Sequence, residues 1–592
     1  MANTKDPNGN AMTAEERPTP GHYTAHALDR AFKANLARLT AGITPAGLSS
    51  IYFDWLSHLM LSPGKQLELV EKAGRKAERF FRYAGQTVLD ADTPPCISPL
   101  PQDRRFQHES WHQWPYNFMY QAFLLTQQWW HNATTDIDGL EPERERVVQF
   151  TTRQLLDRYA PSNNPLLNPE VAKATMETGG MNLIQGWQNF VEDWERAAAG
   201  KPPVGSEDYR VGHNIAVTPG KVVYRNRLIE LIQYAPTSEQ VYAEPILIVP
   251  AWIMKYYILD LSPENSLVKY LVDQGHTVFM ISWRNPTSED RDLGINDYQR
   301  LGPIAALDAI STIVPGEKVH SVGYCLGGTL LTIVAAAMAR EKDQRLASLT
   351  TFATQVDFTE SGELMLFIGE SEVAYLENMM WDQGYLDGYQ MAGAFQILRS
   401  NDLIWSRIVR NYLLGQRQPM SDLMAWNGDL TRMPYRMHSE YLRRLFLNNE
   451  LASGRYQING RPAVISDIRV PIFTVGTVND HIAPWRSVYK IHLLADAEEV
   501  TFVLTSGGHN AGIVSEPGHP RRSYQLRTHH EGDAYVGPDT WQETTESESG
   551  SWWPAWQRWL GEHSSDKTKP PAMGLPGGSP LIDAPGTYVL QP

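Results

Sequence analysis

The spacing of hydrophobic residues divides the chain into two parts with different predicted secondary structure. From Ala25 to Arg196 apolar residues such as Leu28, Leu36 and Leu39 recur at three- and four-residue steps, which is typical of amphipathic helices. A Gly- and Pro-containing stretch then marks a boundary, and short apolar runs replace the helical spacing. We predict a disordered polar tail at residues 1–20, a helical domain at 21–205 and an α/β domain at 206–592.

The apolar runs of the second part are typical of a largely parallel sheet that is covered by helices on both faces. They alternate with helical segments at short spacing, which is the order of βαβ units. The predicted strands lie in VVYRN, LIELIQYAP, PILIVPAW, HTVFMISW, the stretch VHSVGY, IFTV and VTFVL.

Two segments of the second part depart from this alternation. Residues 356–448 are rich in Met, Trp and Tyr, and we interpret them as a cap or lid inserted over an active site. An ordinary helical subdomain with an apolar core is the open alternative. Residues 564–592 are rich in Pro and Gly and are predicted to form an extended tail. Just before this tail, Trp552, Trp556 and Trp559 share one helical face that we expect to dock on the sheet.

One strand–turn–helix stretch carries the strongest chemical signal. The apolar run ends in Gly-Tyr-Cys-Leu-Gly-Gly and continues as a helix of Ala, Leu, Ile and Val, which is the nucleophile elbow of an α/β-hydrolase. Cys325 occupies the position of the lipase serine. The elbow glycines are Gly323, Gly327 and Gly328. Close approach of the helix to the strand leaves no room for side chains at Gly323 and Gly327. An isolated cysteine is usually a buried packing residue, but this turn favours a nucleophile.

A cysteine nucleophile needs a histidine base and an acid that orients the base. This fold supplies them in the chain order nucleophile, acid, histidine. Asp480 follows the predicted strand IFTV, and His509 follows the predicted strand VTFVL behind two glycines. We therefore predict a Cys325–His509–Asp480 triad. The competing residues are Asp297 and Asp357 for the acid, and His481 and His519 for the base.

The transition state of acyl transfer also needs an oxyanion hole, which is usually formed by two backbone N–H groups. The first is expected from Leu326, directly after the nucleophile. The second is expected from Trp252, in the loop after the apolar run ILIVP.

Composition excludes several other classes of function. A formal net charge of -15 without strongly basic runs disfavours a nucleic-acid partner. The two cysteines, Cys96 and Cys325, form neither a disulfide framework nor a cysteine metal cluster, and we interpret Cys96 as structural. No apolar core of a signal peptide and no apolar run of membrane-spanning length is present. We therefore expect a cytoplasmic protein that binds no metal and no separate cofactor.

The assembled motifs resemble those of polyhydroxyalkanoate (PHA) synthases, specifically the single-subunit class I type. The resemblance covers nearly the whole chain beyond the tail. It rests on GYCLGG, KYYILDLSPENSLVKYL, SWRNP, NDHIAPW, SGGHNAGIV, NPLLNPE and METGGMN. The chain departs from the family at residues 250–257, which end in Lys255 and two tyrosines. Many members read Pro-Pro-x-Ile-Asn-Lys-Tyr-Tyr there, whereas this chain reads Pro-Ala-Trp-Ile-Met-Lys-Tyr-Tyr.

The resemblance implies an acyltransferase that polymerises (R)-3-hydroxyacyl-CoA, usually 3-hydroxybutyryl-CoA, into polyester and releases CoA. It implies that Cys325 is acylated, that His509 is the general base and that Asp480 is the acid. It also implies a homodimer at the surface of cytoplasmic polymer granules, with granule-associated proteins as further possible partners.

Two rival functions remain open at the level of sequence. The first is a hydrolase on the same fold, such as a thioesterase, in which water replaces the attacking hydroxyl; the apolar, aromatic cap argues against water entry. The second is an inert granule-bound structural protein, against which the spacing of the triad residues speaks.

Overall fold

The computed structural model describes residue 29, residue 32 and residues 44–90, 92–398, 404–578 and 582–592. The predicted tail at residues 1–20 lies outside the described residues, as do Leu28, Leu36 and Leu39 of the first predicted helix.

The described N-terminal part is helical, as the apolar spacing predicts. Its α-helices are α1 (Pro45–Met60), α2 (Pro63–Leu89), α3 (Tyr116–Ala133), α4 (Pro142–Arg158), α5 (Pro169–Glu177) and α6 (Met181–Ala198). Four of them begin at proline, whose fixed φ and missing N–H suit the first helical position. Phe106, Trp111 and Tyr120 pack into a buried aromatic cluster between these elements.

A mixed ten-stranded sheet forms the centre of the second part. Its strands are β1 (Gly220–Arg225), β2 (Ile229–Tyr234), β3 (Ile246–Val249), β4 (Val278–Trp283), β5 (Val319–Tyr324), β6 (Leu346–Phe352), β7 (Ile472–Thr477), β8 (Glu499–Thr505), β9 (Ser523–His530) and β10 (Ser547–Ser549). The spatial order is β1-β2-β4-β3-β5-β6-β7-β8-β9-β10. The strands from β4 to β8 in this order run parallel, and the outer pairs at both edges are antiparallel.

Helices cover both faces of this sheet. Successive side chains of a strand point to opposite faces, and because apolar side chains of the central strands point both ways, each face has its own apolar core. In β3, Leu247 and Val249 belong to one apolar core, whereas Ile246 and Ile248 belong to the other. The helices between the first parallel strands are α7 (Leu267–Asp273), α8 (Ile295–Gln299), α9 (Ala305–Ile313) and α10 (Leu326–Arg340). This architecture is that of an α/β-hydrolase, and the predicted fold class is confirmed.

The chain leaves the sheet between β6 and β7, as the interrupted alternation predicts. The helices of this insertion are α11 (Glu370–Gln383), α12 (Gly388–Leu398), α13 (Asp422–Gly428) and α14 (Tyr435–Glu440). Its aromatic residues include buried ones such as Trp426 and Tyr441. Tyr441 belongs to one of the two apolar cores of the sheet and Trp426 to the other, so the insertion packs against the α/β part.

The helices after β7 are α15 (Trp485–Tyr489), α16 (Ile491–Leu494), α17 (Pro538–Thr544) and α18 (Trp553–Glu562). Trp556 and Trp559 of α18, with the preceding Trp552, pack on the sheet as predicted: the rings of Trp552 and Trp556 lie 5.0 Å from that of Phe352. The predicted extended tail folds back onto the sheet, where Thr587 and Tyr588 bind the carboxylate of Glu230. None of the described helices is both long and apolar enough to span a bilayer.

Candidate active site

Cys325 lies between β5 and α10 in a backbone conformation that side chains rarely adopt. Its φ is 52° and its ψ is -123°, and such strain persists only where the surrounding structure imposes it. The N–H of Cys325 donates to the carbonyl of Phe352 at 2.8 Å, and the Thr354 hydroxyl donates to the carbonyl of Cys325 at 3.2 Å. These bonds to the neighbouring strand hold the turn.

At each of the three elbow glycines, any other residue would place its Cβ too close to neighbouring atoms. A Cβ on Gly323 would overlap the main chain of Gly328, and one on Gly327 would overlap the carbonyl of Val249. A Cβ on Gly328 would overlap the side chain of Thr354. Close packing around the elbow therefore leaves no room for a side chain at these three positions.

Asp480 and His509, from the loops after β7 and β8, form a buried ion pair. The distance between His509 Nδ1 and Asp480 Oδ2 is 2.7 Å. Because an ionised carboxylate only accepts hydrogen bonds, Nδ1 carries the proton and Nε2 is left for a further partner. The other Asp480 oxygen accepts from the N–H groups of Ile482 and Ala483 at 2.9 and 2.8 Å, so the carboxylate is held in one orientation.

The electrostatics of the pair favour the charged forms. Burial raises the pKa of Asp480, but the charge of His509 and the hydrogen bonds that the carboxylate accepts outweigh burial and lower this pKa. Burial likewise opposes protonation of His509. The Asp480 carboxylate first, and then interaction with the Cys325 side chain, raise the pKa of His509 well above its ordinary value. Cys325, His509 and Asp480 thus lie together.

The competing residues of the sequence analysis have other partners. Asp357 accepts from Thr359 and from Asn449 at 3.2 Å. Asp297 accepts from the N–H of Gly294 at the start of α8. His519 accepts from the N–H of Arg521 at 3.4 Å. The contacts of Asp297 and His519 are local cap and turn interactions, whereas Asn449 binds Asp357 from 92 positions away in the chain.

The two segments expected to form the oxyanion hole run side by side. Leu326 is the first residue of α10, so its N–H has no acceptor within the helix. The main chain of Val249 and Pro250 lies against Gly327. Trp252 is 4% exposed, its carbonyl accepts from the Thr431 hydroxyl at 3.0 Å, and its ring lies 5.5 Å from that of Tyr298. The donor roles of Leu326 and Trp252 stay predictions.

Three further residues lie at this site without having been assigned to it from sequence. Burial and then the charge of Cys325 raise the pKa of Tyr441 well above its ordinary value, so the insertion brings a tyrosine close to the nucleophile. Tyr324 donates from its hydroxyl to Asn510 Oδ1 at 2.5 Å. The only sequence signal for Tyr324 and Asn510 was that they are the chain neighbours of Cys325 and His509.

Among the residues that the structure describes, no group of three or more His, Cys, Asp or Glu side chains could hold a metal ion.

The fold and this arrangement define the class of the protein as an enzyme of the α/β-hydrolase fold. Family models support the class and narrow it. "Poly-beta-hydroxybutyrate polymerase N terminal" matches residues 23–65, "Poly-beta-hydroxybutyrate polymerase (PhaC) N-terminus" matches residues 102–271, and "alpha/beta hydrolase fold" matches residues 244–515.

Relatives match over nearly the whole chain. A poly(3-hydroxyalkanoate) polymerase of Methylorubrum extorquens is 40% identical, covering 92% of this chain and 89% of the relative. The poly(3-hydroxyalkanoate) polymerase subunit PhaC of Rhizobium meliloti is also 40% identical, with 92% and 88% covered. The corresponding subunit of Cupriavidus necator is 35% identical, with 98% of each chain covered. The chain belongs to the poly(3-hydroxyalkanoate) polymerase family, as its motifs predict.

Proposed function

We propose that the protein transfers (R)-3-hydroxyacyl groups, short ones such as 3-hydroxybutyryl, from CoA to a growing polyester through a thioester on Cys325. The observation that carries this proposal is the contact of Asp480 with His509 beside Cys325, in a chain whose relatives are named poly(3-hydroxyalkanoate) polymerases. The strained turn at Cys325 supports it further.

In the first step the proton of the Cys325 thiol passes to His509 Nε2, which gives the doubly protonated ring that the raised pKa of His509 favours. The sulfur then attacks the carbonyl carbon of the acyl-CoA. The N–H groups of Leu326 and Trp252 stabilise the oxyanion that forms. The bond from the carbonyl carbon to the CoA sulfur then breaks, and CoA takes the proton back from His509. One thioester replaces another at nearly equal free energy, so the acyl group stays activated.

In the second step the hydroxyl of another 3-hydroxyacyl unit attacks the Cys325 thioester. His509 accepts the hydroxyl proton and returns it to the departing Cys325 sulfur. An oxygen ester replaces a thioester, which is downhill and drives elongation. Asp480 keeps the proton on Nδ1, so that Nε2 faces the reacting groups; direct assistance of the hydroxyl by Asp480 is the alternative role.

The partners that we propose follow from the family resemblance. They are the acyl-CoA substrate, the polyester chain and its granule surface in the cytoplasm, a second copy of this chain in a homodimer, and granule-associated proteins. CoA is part of the substrate and product, and no separate cofactor takes part in these steps.

The test is to incubate the purified chain with (R)-3-hydroxybutyryl-CoA, to follow CoA release with a thiol reagent and to size the product. Cys325→Ala is the matched variant. We expect CoA release with high-mass polyester in the unsubstituted protein and neither in Cys325→Ala.

Other outcomes would overturn the proposal in different ways. CoA release with free 3-hydroxy acid as the product would assign a hydrolase. No release with this or a longer acyl-CoA would favour the inert granule protein. Full activity of Cys325→Ala would remove the nucleophile assignment.

A further inference from the structure

A hydrogen bond connects the residue before the nucleophile to the residue after the histidine. Tyr324 is the last residue of β5 and immediately precedes Cys325; Asn510 immediately follows His509. The Tyr324 hydroxyl donates to Asn510 Oδ1 at 2.5 Å. The Tyr324 ring also lies 5.7 Å from the His509 ring, at an interplanar angle of 33°. Both members of this bond are thus covalent neighbours of the proposed reacting groups.

The strands that carry the two loops do not pair with each other. In the sheet β6 and β7 separate β5 from β8, so the two strands are about 14 Å apart at the usual interstrand spacing. The elbow is hydrogen-bonded to the end of β6 through Cys325 N. The histidine loop is hydrogen-bonded to the loop after β7, because Asn479 N donates to the carbonyl of Gly507 at 2.9 Å. The hydrogen bond from Tyr324 to Asn510 connects the elbow and the histidine loop without passing through β6 or β7.

The chemistry of Tyr324 suits a structural donor rather than an acid or a base. The residue is 3% exposed. Burial, and then the charges of Cys325 and Asp480, hold the pKa of Tyr324 well above its ordinary value, so the hydroxyl keeps its proton. A neutral phenol in a low-dielectric site makes a strong hydrogen bond whose loss is felt. By accepting this bond through its side-chain amide oxygen, Asn510 holds the main chain next to His509 in place.

We propose that the hydrogen bond from Tyr324 to Asn510 sets the distance between His509 Nε2 and Cys325 Sγ. Tyr324 and Asn510 are then positioning residues for acyl transfer. The inference rests on the proposed function of the triad. Small displacements of reacting groups have large effects on rate, on the order of a hundredfold for about 1 Å. The bond should therefore affect the rate of the chemical steps more than substrate binding.

The test uses Tyr324→Phe, Asn510→Leu and the double variant. Tyr324→Phe removes only the hydroxyl, and Leu is close to Asn in shape. We expect each single variant to lower kcat for CoA release from (R)-3-hydroxybutyryl-CoA by about tenfold with little change in KM. We also expect slower alkylation of Cys325 by iodoacetamide, followed by mass spectrometry of the Cys325 peptide, which needs no substrate.

The double variant separates positioning from stability. It leaves no buried polar group without its partner, so its thermal stability should return toward that of the unsubstituted protein. Its kcat and its alkylation rate should stay as low as in the single variants. Tyr489→Phe is the matched control, because the Tyr489 hydroxyl is also buried and donates to the carbonyl of Val536 at 2.8 Å; we expect its kcat to be unchanged.

Two results would overturn the inference. One is unchanged kcat and alkylation in Tyr324→Phe and Asn510→Leu. The other is recovery of kcat together with thermal stability in the double variant, because the bond would then act through folding alone. Failure of the proposed function would look different: Cys325→Ala would keep its activity, or the product would not be polyester.

Discussion

Cys325 owes its position to the residues on either side rather than to its own side chain. Its positive φ lifts it out of the strand, and Gly323, Gly327 and Gly328 let α10 approach closely enough to impose that conformation. The turn could be predicted from sequence because these glycines lie within four positions of the cysteine. The pairing of His509 with Asp480 depends instead on two loops that meet only in the fold.

The first prediction concerns Gly327→Ala. The added Cβ would overlap main-chain atoms of Val249 and Pro250, which cannot rotate away as a flexible side chain can. We expect the free energy of unfolding to fall by about 2 to 3 kcal/mol, in the range of overpacked sites, and CoA release to be nearly lost. Urea denaturation and the CoA assay measure the two effects.

The control for this prediction is Gly85→Ala, in helix α2. No atom lies within 4 Å of a Cβ at Gly85, so alanine should stabilise the helix by up to about 1 kcal/mol. Equal effects of the two substitutions would contradict the steric account.

The second prediction concerns the protonation of His509. Its pKa is raised well above the ordinary value, and the Asp480 carboxylate is the first of the groups that raise it against burial. A raised pKa means that His509 keeps its second proton as the pH rises past about 6.5. In Asp480→Asn this support is lost and burial favours the neutral ring, so the pKa should fall below that of the unsubstituted protein.

An NMR titration with isotope-labelled histidine can measure this change, with His509→Gln used to assign the resonance. A His509 pKa that is unchanged by Asp480→Asn would contradict the ion pair.

At the scale of elements, the C-terminal segment holds the sheet edge and the loop after β3. Glu230 of β2 is 0% exposed, and its carboxylate accepts from Thr587 N, Thr587 Oγ1 and Tyr588 N at 2.8, 2.8 and 2.9 Å, in addition to Arg225. Further along, Asn285 Nδ2 donates to the carbonyl of Pro592 at 2.7 Å. Lys255 Nζ also binds the Gln591 carbonyl.

The third prediction is that Glu230→Gln loosens this segment. The substitution removes the buried negative charge to which four groups donate. The N–H₂ group of the new glutamine would itself be a donor and would face these donors without an acceptor. We expect the free energy of unfolding to fall by about 3 kcal/mol. Hydrogen–deuterium exchange of residues 582–592 should increase, whereas exchange in β7 and β8 should not.

Asp583→Asn is the matched control in the same segment. Its ion pair with Lys221 is exposed, with 79% and 40% of the two side chains accessible, so we expect an effect within about 1 kcal/mol. If Asp583→Asn loosened the segment as much as Glu230→Gln does, burial of Glu230 would not be the reason.

At the scale of the whole molecule, helix α6 ties the N-terminal helices to the insertion between β6 and β7. Asn182 and Asn189 donate from their side-chain amides to the carbonyls of Leu413 and Asn411 at 2.8 and 3.0 Å. A Cβ on Gly186 would overlap the carbonyl of Tyr412. The helix thus presents a polar, close-packed face to the insertion.

The fourth prediction concerns Asp193 of α6. Its carboxylate, which is 11% exposed, accepts from Arg417 at 2.7 Å, Tyr412 at 2.9 Å and Arg407 at 3.2 Å. Asp193→Ala removes the acceptor that these three donors of the insertion share, and Arg417 keeps further acceptors, at Asn189 and Glu192. We expect a loss of about 2 to 3 kcal/mol and faster hydrogen–deuterium exchange in residues 408–417, with Glu195→Ala on the exposed side of the same helix as control. Equal exchange in the two variants would contradict a role of Asp193 in holding the insertion.

The sequence by itself determined the helical and α/β halves, the elbow at Cys325, the chain order of acid and histidine, and the family. The two-part division and the elbow depend on apolar periodicity and on glycines within one turn, which are local properties of the chain. The order of acid and histidine follows from the hydrolase fold that the elbow predicts, and the family follows from the resemblance of several motifs. Only the tertiary structure decided that Tyr324 meets Asn510 across 186 positions and that Thr587 meets Glu230 across 357. Such contacts arise from strand order and from which loops meet at the ends of a sheet, and neither leaves a pattern in the neighbouring residues.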